Sequence, residues 1–402
     1  MAKELAALLM VILTLVCASS IHSVPDEEFF TECENIVQRW ANSSLDVEVK
    51  DKHTLLDLLF FLHIPRTGGR AYNFCFLNKL YTSYLECPSS YDKLHFDPSI
   101  PLNRWLQVVH DDYSITSKLP MERRTSVMTI LRNPVDHFCN SKYIGHIWPW
   151  KYLVPWMRED LFARRDRRNH GNFQEDKETN NAYDMKDIVI PLEEFIHSVV
   201  AYDIIHNGAT FQIAGVTNNS YLEAPEVRNC AMSYQSLGKY VLEVAKKRLD
   251  NMLYVGLTEQ HKESATIFAD VVGKQVFLQL QALRSSFILL QIIPVAVFSF
   301  NIFLELLKAY DECSSTSRKI EARRRTSTLK RISLNFSKEA RLQVPEAVLQ
   351  TIISLNSLDM ELYKHAQHIF EQQKYRLLQE RVQVEMHKDD SFKTDSHESA
   401  PL

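Results

Sequence analysis

The chain has 402 residues, of which 45% are hydrophobic and 24% are charged. This is the composition of a globular protein and excludes a disordered or fibrous one. The 46 Lys and Arg residues against 50 Asp and Glu give a net charge of −4, which excludes a globally basic nucleic-acid-binding protein. Any anion-binding site must therefore rest on a local basic cluster.

The N-terminus has the pattern of a secretory signal peptide. A charged start is followed by an apolar run over residues 5–18 and then by small residues near Ser20 to Ser23. We predict a signal peptide over residues 1–23 and a polar lumenal lead-in over residues 24–53. Six cysteines remain after cleavage, so we expect disulfides, although their pairing is not readable from the sequence. Sites for N-glycosylation, which would make the chain a glycoprotein, occur at Asn42, Asn218 and Asn335.

Two strand–loop–helix units stand out in the next part of the chain. The apolar run Leu55–Ile64 is typical of a buried central strand, and a helix is predicted over Ala71–Leu80. A second run, Ser126–Leu131, is followed by Pro134, which suits the first turn of a helix. Repeated units of this kind favour an α/β fold with a central parallel sheet.

Further elements are expected along the chain. Apolar runs predict a strand over Trp105–Val109 and a short strand, Leu253–Gly256, that interrupts a helical region. A long helix is predicted over Pro345–Arg381, before a polar, disordered tail over residues 386–402.

One apolar segment has no charge for 20 residues, Ser285–Leu304. Its length is sufficient to span a bilayer, but its Gln, Pro, Ser and Asn residues favour a buried or irregular segment. Association with a membrane stays open at this point.

The turn after the first strand has the features of an anion-binding loop. Gly68 and Gly69 allow backbone amides to approach an anion closely, at the start of a helix whose free N–H groups favour negative charge. Thr67 adds a hydroxyl, and Arg66 adds a permanent positive charge. Arg70 is a weaker candidate for the same role.

The second unit offers a further anion site. Arg132 ends the strand, and Ser141 follows about two helical turns later. An arginine and a hydroxyl together can hold a phosphate. The two units therefore suggest a nucleotide that carries phosphates at two separated ends.

Several of these stretches resemble a known enzyme family. His63–Gly69 resembles the 5′-phosphosulfate-binding loop of Golgi sulfotransferases, in particular the heparan-sulfate 6-O-sulfotransferase group, and Leu131–Val135 resembles the 3′-phosphate-binding segment of that group. Further stretches similar to the 6-O enzymes are Tyr254–Glu259 and Leu355–Tyr363. Two more, Ile147–Asp166 and Asp203–Gly215, resemble the plant-type tyrosylprotein sulfotransferase specifically.

The resemblance implies a single-domain sulfotransferase fold and a donor, 3′-phosphoadenosine 5′-phosphosulfate (PAPS), without a metal. The domain would cover residues 54–276 and 305–385, with residues 277–304 as an atypical apolar insertion. The acceptors would be tyrosine hydroxyls of acidic, secreted peptide precursors in the Golgi lumen, with no nucleic acid as partner, and a basic run over residues 164–168 suits acidic peptides. The residues that would bind PAPS are Pro65, Arg66, Thr67, Gly68, Gly69, Arg70, Arg132 and Ser141.

A tyrosine hydroxyl has a pKa near 10, so transfer of the sulfuryl group to its oxygen needs a base that accepts its proton. His110 is the candidate, because it follows a predicted strand and falls where the 6-O enzymes carry their catalytic histidine. Asp111 and Asp112 follow it directly and could orient it. His63 is the second candidate for the base, and Arg66 would stabilise charge on the bridging oxygen of the donor.

Two positions depart from the family pattern. The family usually has lysine where this chain has Arg66, and it has serine where this chain has Asn140, one residue before Ser141.

Two alternatives to tyrosine sulfation stay open. One is a carbohydrate sulfotransferase of the 6-O type, and the other is an inactive relative with a broken 3′-phosphate site.

Overall fold

The computed structural model describes a defined part of the chain. The described residues are 26–46, 52–65, 67–77, 80–81, 105–109, 112–118, 124–141, 196–197, 201–202, 206–217, 220, 224–279, 307–308, 310–313 and 344–395.

Within these residues, parallel strands form one sheet in the order β2–β1–β3–β4. The strands are β1 (Leu58–Leu62), β2 (Leu106–Val109), β3 (Thr125–Leu131) and β4 (Tyr254–Leu257). All three pairings are parallel, so the carboxyl ends of the strands lie at the same edge of the sheet. The predicted α/β class with a central parallel sheet is thereby confirmed.

The strand order explains the apolar pattern of β1. This strand lies between β2 and β3, and all five of its residues are buried. A parallel strand covered on both faces requires an apolar side chain at nearly every position. A buried hydroxyl next to it, that of Thr129 in β3, donates a hydrogen bond to Leu62 O at 2.8 Å.

Helices cover the sheet and extend the core. In chain order they are α1 (Asp26–Leu45), α2 (Gly69–Tyr72), α3 (Pro134–Ser141), α4 (Gly208–Ile213), α5 (Ala224–Ser233), α6 (Gly238–Asp250), α7 (His261–Phe268), α8 (Glu346–Leu355) and α9 (Ser357–Asp395). Turns of 3-10 helix lie at Tyr113–Lys118 and Gln235–Leu237, and π-helical turns extend α2 over Asn73–Leu77 and α7 over Ala269–Gly273.

Helix α1 lies in the region predicted as a lead-in. Cys33, Val37 and Ala41 are buried at a four-residue spacing, and α1 packs against α5 and α6. A disulfide between Cys33 and Cys230 joins α1 to α5. The segment is therefore an element of the core, and its acidic first turns concealed the apolar face in the sequence.

The predicted helix over Pro345–Arg381 is two helices. Helix α8 ends at Leu355 and α9 begins at Ser357, because Asn356 between them makes capping contacts with the α4 region. Helix α9 continues to Asp395, which is beyond the domain end predicted at 385 and includes part of the predicted tail.

The π-helical turn after α2 is fixed by aromatic packing and a second disulfide. Phe76 stacks on Tyr310 with ring centroids 4.1 Å apart, and Cys75 is bonded to Cys313. The disulfide expected from the cysteines of the sequence is thus present in this region.

The predicted apolar insertion, residues 277–304, begins inside a helical turn. Gln275 and Gln279 lie on that turn and bond to the segment before β1, where Gln279 donates to Leu56 O at 2.6 Å. Residues 280–306 lie outside the described residues. In the part of the chain that the structure describes, no helix is both long enough and apolar enough to cross a membrane.

Candidate functional site

The candidate site lies at the carboxyl edge of the sheet, where three chain segments follow adjacent strands. They are residues 63–65 and 67–69 after β1, residues 132–134 after β3 and residues 258–259 after β4. In parallel sheets, this edge is the usual place for ligand binding.

The first segment is a tight turn shaped by two glycines. Thr67 is buried, and its hydroxyl donates to Ile64 O at 2.8 Å, closing the turn from inside. Gly68 is exposed and has φ +82°, a backbone conformation that favours glycine. Gly69 is buried, and a Cβ atom there would overlap the His63 ring and lie 2.8 Å from Phe61 Cζ. The sequence Gly68–Gly69 is therefore required by this turn.

The second segment starts a well-capped helix. Asn133 accepts hydrogen bonds on Oδ1 from the N–H groups of Val135, at 3.0 Å, and Asp136, at 3.4 Å. Pro134 occupies the first helical position, as the sequence predicts. Arg132 precedes the cap, and its side chain is 24% exposed.

Helix α3 is tied to the first segment. His137 is buried, and its Nε2 lies 2.8 Å from Pro65 O. Because a carbonyl oxygen only accepts, Nε2 carries the proton in this bond. The two segments therefore hold each other directly as well as through the sheet.

The residues after β4 connect both segments. The Thr258 hydroxyl lies 2.7 Å from Thr67 O and 3.0 Å from Leu131 O, so its proton is shared between the two carbonyls. Glu259 Oε1 accepts from the N–H of Asn133 at 3.0 Å and lies 3.9 Å from Arg132 Nε.

Tyr363 of α9 completes this cluster. It is buried, and its hydroxyl donates to Glu259 Oε2 at 2.7 Å. Burial, followed by the hydrogen bond to Glu259, raises the pKa of the Tyr363 hydroxyl above its ordinary value. The hydroxyl therefore remains a donor at neutral pH.

The start of α9 also supports the first segment, through α4. Asp359 accepts hydrogen bonds from Ala209 N, Thr210 N and Thr210 Oγ1. Burial raises the pKa of Asp359 to about 6, while these hydrogen bonds act in the opposite direction. Gln212 of α4 donates a hydrogen bond to His63 O at 3.3 Å, directly after the end of β1.

Asp112, which follows the predicted base and Asp111 in the sequence, is buried and accepts several hydrogen bonds. Its carboxylate accepts hydrogen bonds from the backbone N–H and hydroxyl of Ser114, from both groups of Thr217 and from the Ser220 hydroxyl. It therefore fastens the turn after β2 to the turn after α4. His110 and Asp111 lie outside the described residues, so the prediction of the base stays a prediction.

Comparison with known proteins identifies the family to which the chain belongs. The chain is 45% identical to the protein-tyrosine sulfotransferase of Arabidopsis thaliana in an alignment of 423 positions, which covers 89% of this chain and 84% of that protein. The chain belongs to the protein-tyrosine sulfotransferase family. This confirms the resemblance to the plant-type enzyme and the assignment of the chain as an enzyme. The chain matches no protein-family model.

In this sulfotransferase, the predicted site residues fall into two groups. The structure brings together Pro65, Thr67, Gly68, Gly69 and Arg132. Arg66 and the basic run at 164–168 lie outside the described residues. Arg70 and Ser141 hold backbone positions in α2 and α3, and their side chains are not described. Their roles in binding stay predictions.

Sequence analysis did not assign several residues that shape the sulfotransferase site. These residues are His137, Gln212, Thr258, Glu259 and Tyr363. A signal for four of them was present, because Tyr254–Glu259 and Leu355–Tyr363 resemble the 6-O enzymes and Asp203–Gly215, which contains Gln212, resembles the plant-type enzyme. Among the described residues, no three or more His, Cys, Asp or Glu side chains are grouped so that they could hold a metal ion.

Proposed function

We propose that this enzyme transfers the sulfuryl group of PAPS to tyrosine hydroxyls of secreted peptide or protein precursors in the Golgi lumen. Membership of a family whose Arabidopsis thaliana relative is named protein-tyrosine sulfotransferase supports this reaction. The observation that carries the proposal is the junction formed by Thr258 and Glu259. It holds the two predicted phosphate-binding segments at one edge of the sheet.

The described residues fit a donor with two phosphate-bearing ends. At Gly68 the position of a Cβ atom has nothing within 4 Å, so the exposed turn leaves room for an oxyanion against its backbone. Arg132 is part-exposed at the end of the neighbouring strand β3. We assign the 5′-phosphosulfate to residues 65–70, including Arg66 and Arg70, and the 3′-phosphate to Arg132 and Ser141.

The transfer is an in-line displacement, in which catalysis rests on positioning and charge stabilisation. The tyrosine oxygen forms a bond to sulfur while the bond from sulfur to the 5′-phosphate oxygen breaks. His110 accepts the tyrosine proton, and Arg66 stabilises the negative charge that develops on the bridging oxygen. The donor supplies the activated sulfuryl group, and no metal is needed for this step.

The cysteines support a secretory location. Disulfides join Cys33 to Cys230 and Cys75 to Cys313, and such bonds persist in oxidising compartments. Together with the predicted signal peptide over residues 1–23, they support a location in the secretory pathway. Acidic, tyrosine-containing precursors are the proposed partners.

The first test is calorimetric binding of 3′-phosphoadenosine 5′-phosphate, the product of the donor, to residues 24–402. We expect binding by the wild type, its loss in Arg66→Ala and its retention in Arg66→Lys, which restores the usual family residue. A folded wild-type protein without binding would instead support the inactive relative with a broken 3′-phosphate site.

The second test identifies the acceptor. Labelled sulfate should move from PAPS to an acidic peptide that contains tyrosine and not to the same peptide with phenylalanine. His110→Ala should abolish transfer while leaving the product affinity unchanged. Transfer to heparan sulfate with no transfer to the peptide would overturn tyrosine sulfation in favour of the carbohydrate alternative.

A further inference from the structure

Glu259 and Tyr363 form a hydrogen-bonded pair behind Arg132. Glu259 follows β4 directly, and Tyr363 lies 104 residues further on, in α9. The pair lies at the candidate site, but neither residue is among those that the sequence predicts to bind the donor.

The two carboxylate oxygens of Glu259 have separate partners. Oε2 accepts the Tyr363 hydroxyl at 2.7 Å, whereas Oε1 accepts the N–H of Asn133 at 3.0 Å and faces Arg132 Nε at 3.9 Å. The first partner comes from α9, and the other two come from the strand end that carries the arginine. Glu259 therefore transmits the position of α9 to the backbone and side chain at the end of β3.

The start of helix α9, which carries Tyr363, is held in place by hydrogen bonds to α4. Its first turn is bound to the start of α4, because Asn207 Oδ1 accepts the N–H groups of Leu358 and Asp359 and Asp359 binds Thr210 in return. Tyr363 follows one turn later and is 6% exposed. A buried ring on an anchored helix has little freedom, so its hydroxyl holds Glu259 in one place.

A carboxylate next to a phosphate site would repel the ligand if it only added charge. Here Glu259 Oε1 lies at an ion-pair distance of 3.9 Å from Arg132 Nε, and hydrogen bonds from Tyr363 and Asn133 stabilise the charge of the carboxylate. A guanidinium has four more N–H groups, on its two Nη atoms, and their fork suits a phosphate. Restricting the rotamers of Arg132 before binding lowers the entropy lost when the ligand binds.

We propose that Glu259, held by Tyr363, is a positioning residue that orients Arg132 toward the 3′-phosphate of the donor. This inference rests on the proposed function, since it assumes a 3′-phosphorylated nucleotide at this site.

The test uses two nucleotides to distinguish an effect on binding of the 3′-phosphate from an effect on binding of the 5′-phosphate. Binding of 3′-phosphoadenosine 5′-phosphate and of adenosine 5′-monophosphate, which lacks the 3′-phosphate, is measured by calorimetry on residues 24–402. Tyr363→Phe should weaken the bisphosphate about tenfold and leave the monophosphate within about twofold. Glu259→Gln should show the same selectivity. Tyr375→Phe, at an exposed tyrosine of the same helix, should change neither.

A second comparison asks whether the effect passes through Arg132. In an Arg132→Ala background, Tyr363→Phe should cause no further loss of bisphosphate affinity. Thermal unfolding of each variant verifies that it is folded.

Two results would overturn the inference while leaving the proposed function intact. They are unchanged bisphosphate affinity in folded Tyr363→Phe and Glu259→Gln, or equal weakening of both probes, which is the mark of a purely structural role. Failure of the wild type to bind the bisphosphate would overturn the proposed function itself, and the inference with it.

Discussion

The hydroxyl of Thr258 lies 2.7 Å from the carbonyl oxygen of Thr67, and these two residues are 191 positions apart in the chain. The bond joins the residue after β4 to the glycine turn after β1. Strand β3 lies between β1 and β4, and the carbonyl oxygen of its last residue, Leu131, lies 3.0 Å from the same hydroxyl. One side chain thus sets the spacing between the two predicted phosphate-binding segments.

Thr258→Val removes this hydroxyl and keeps the side-chain shape. A hydrogen bond of this kind contributes about 0.5–1.5 kcal/mol, so the affinity for 3′-phosphoadenosine 5′-phosphate should fall by about two- to tenfold. Because Thr258 supports the turn that faces the 5′ end, the affinity for adenosine 5′-monophosphate should fall equally. Calorimetry with both nucleotides measures this.

Thr266→Val is the matched control, since its exposed hydroxyl bonds only to Lys262 O within α7. It should bind both nucleotides like the wild type. Wild-type affinities in Thr258→Val would show that the bond to Thr67 does not set the geometry of the binding turn.

The elements that surround the site could be predicted because their signals are local. The apolar run of β1 reflects burial on both faces, and Asn133–Pro134 marks the start of α3 by capping chemistry within a few residues. The turn Gly68–Gly69 was predicted in the same way, from conformations that only glycine adopts easily.

The connections between these elements could not be predicted, because they depend on distant pairs. Glu259 and Tyr363 meet across 104 residues, and nothing in their local sequence specifies the partner. Asp112 shows the same limit, since nothing in its local sequence specifies its bonds to Thr217 and Ser220. The helix α1 was missed because its buried face alternates with acidic residues.

Gly69→Ala tests the close packing of the binding turn. An added Cβ would overlap the His63 ring, so the turn or the ring must move. Overpacking of this kind costs about 1–3 kcal/mol of unfolding free energy, and displacement of the turn should weaken product binding at least tenfold. Denaturant unfolding and calorimetry measure the two effects.

Gly208→Ala serves as the control for this substitution, because a Cβ there meets nothing within 4 Å. It should leave the affinity unchanged and should not lower the stability, because an unstrained glycine-to-alanine change in a helix stabilises a protein by about 0.4–1 kcal/mol. Equal behaviour of Gly69→Ala and Gly208→Ala would contradict the packing of Gly69 against His63.

The disulfide between Cys33 and Cys230 should be a major source of stability. It closes a loop of 197 residues and fastens α1 to the core, and long loops lose the most unfolded-state entropy when they are crosslinked. Replacing both cysteines by serine should lower the unfolding free energy by about 2–5 kcal/mol.

Denaturant unfolding of the double serine variant and of the wild type, each with and without a reductant, checks this value. The reductant should destabilise the wild type more than the variant, which retains only the bond between Cys75 and Cys313 among the disulfides of the described residues. A variant as stable as the wild type would mean that α1 contributes little to the core.

The carboxyl group of Asp359 gives stability a specific pH dependence. Burial raises its pKa in the folded state to about 6, above the ordinary value of 3.8. In this pH range the folded state binds the proton more tightly than the unfolded state does. The contribution therefore favours folding below pH 3.8 and is lost as pH rises through about 6, with a total change of about 3 kcal/mol at most.

Asp359→Asn removes this titration, because an amide does not ionise in this range. The amide also places Nδ2 where a carboxylate oxygen accepts a hydrogen bond, so the variant should be less stable than the wild type at low pH. As pH rises from 4 to 7, the wild type loses the contribution of the neutral carboxyl and the variant does not, so the gap in unfolding free energy should narrow. Thermal unfolding of both proteins at half-unit pH steps measures the gap. A gap that stays constant toward pH 7 would show that the pKa of Asp359 is not raised, and a gap that widens would show that Thr210 stabilises the carboxylate more strongly than burial disfavours it.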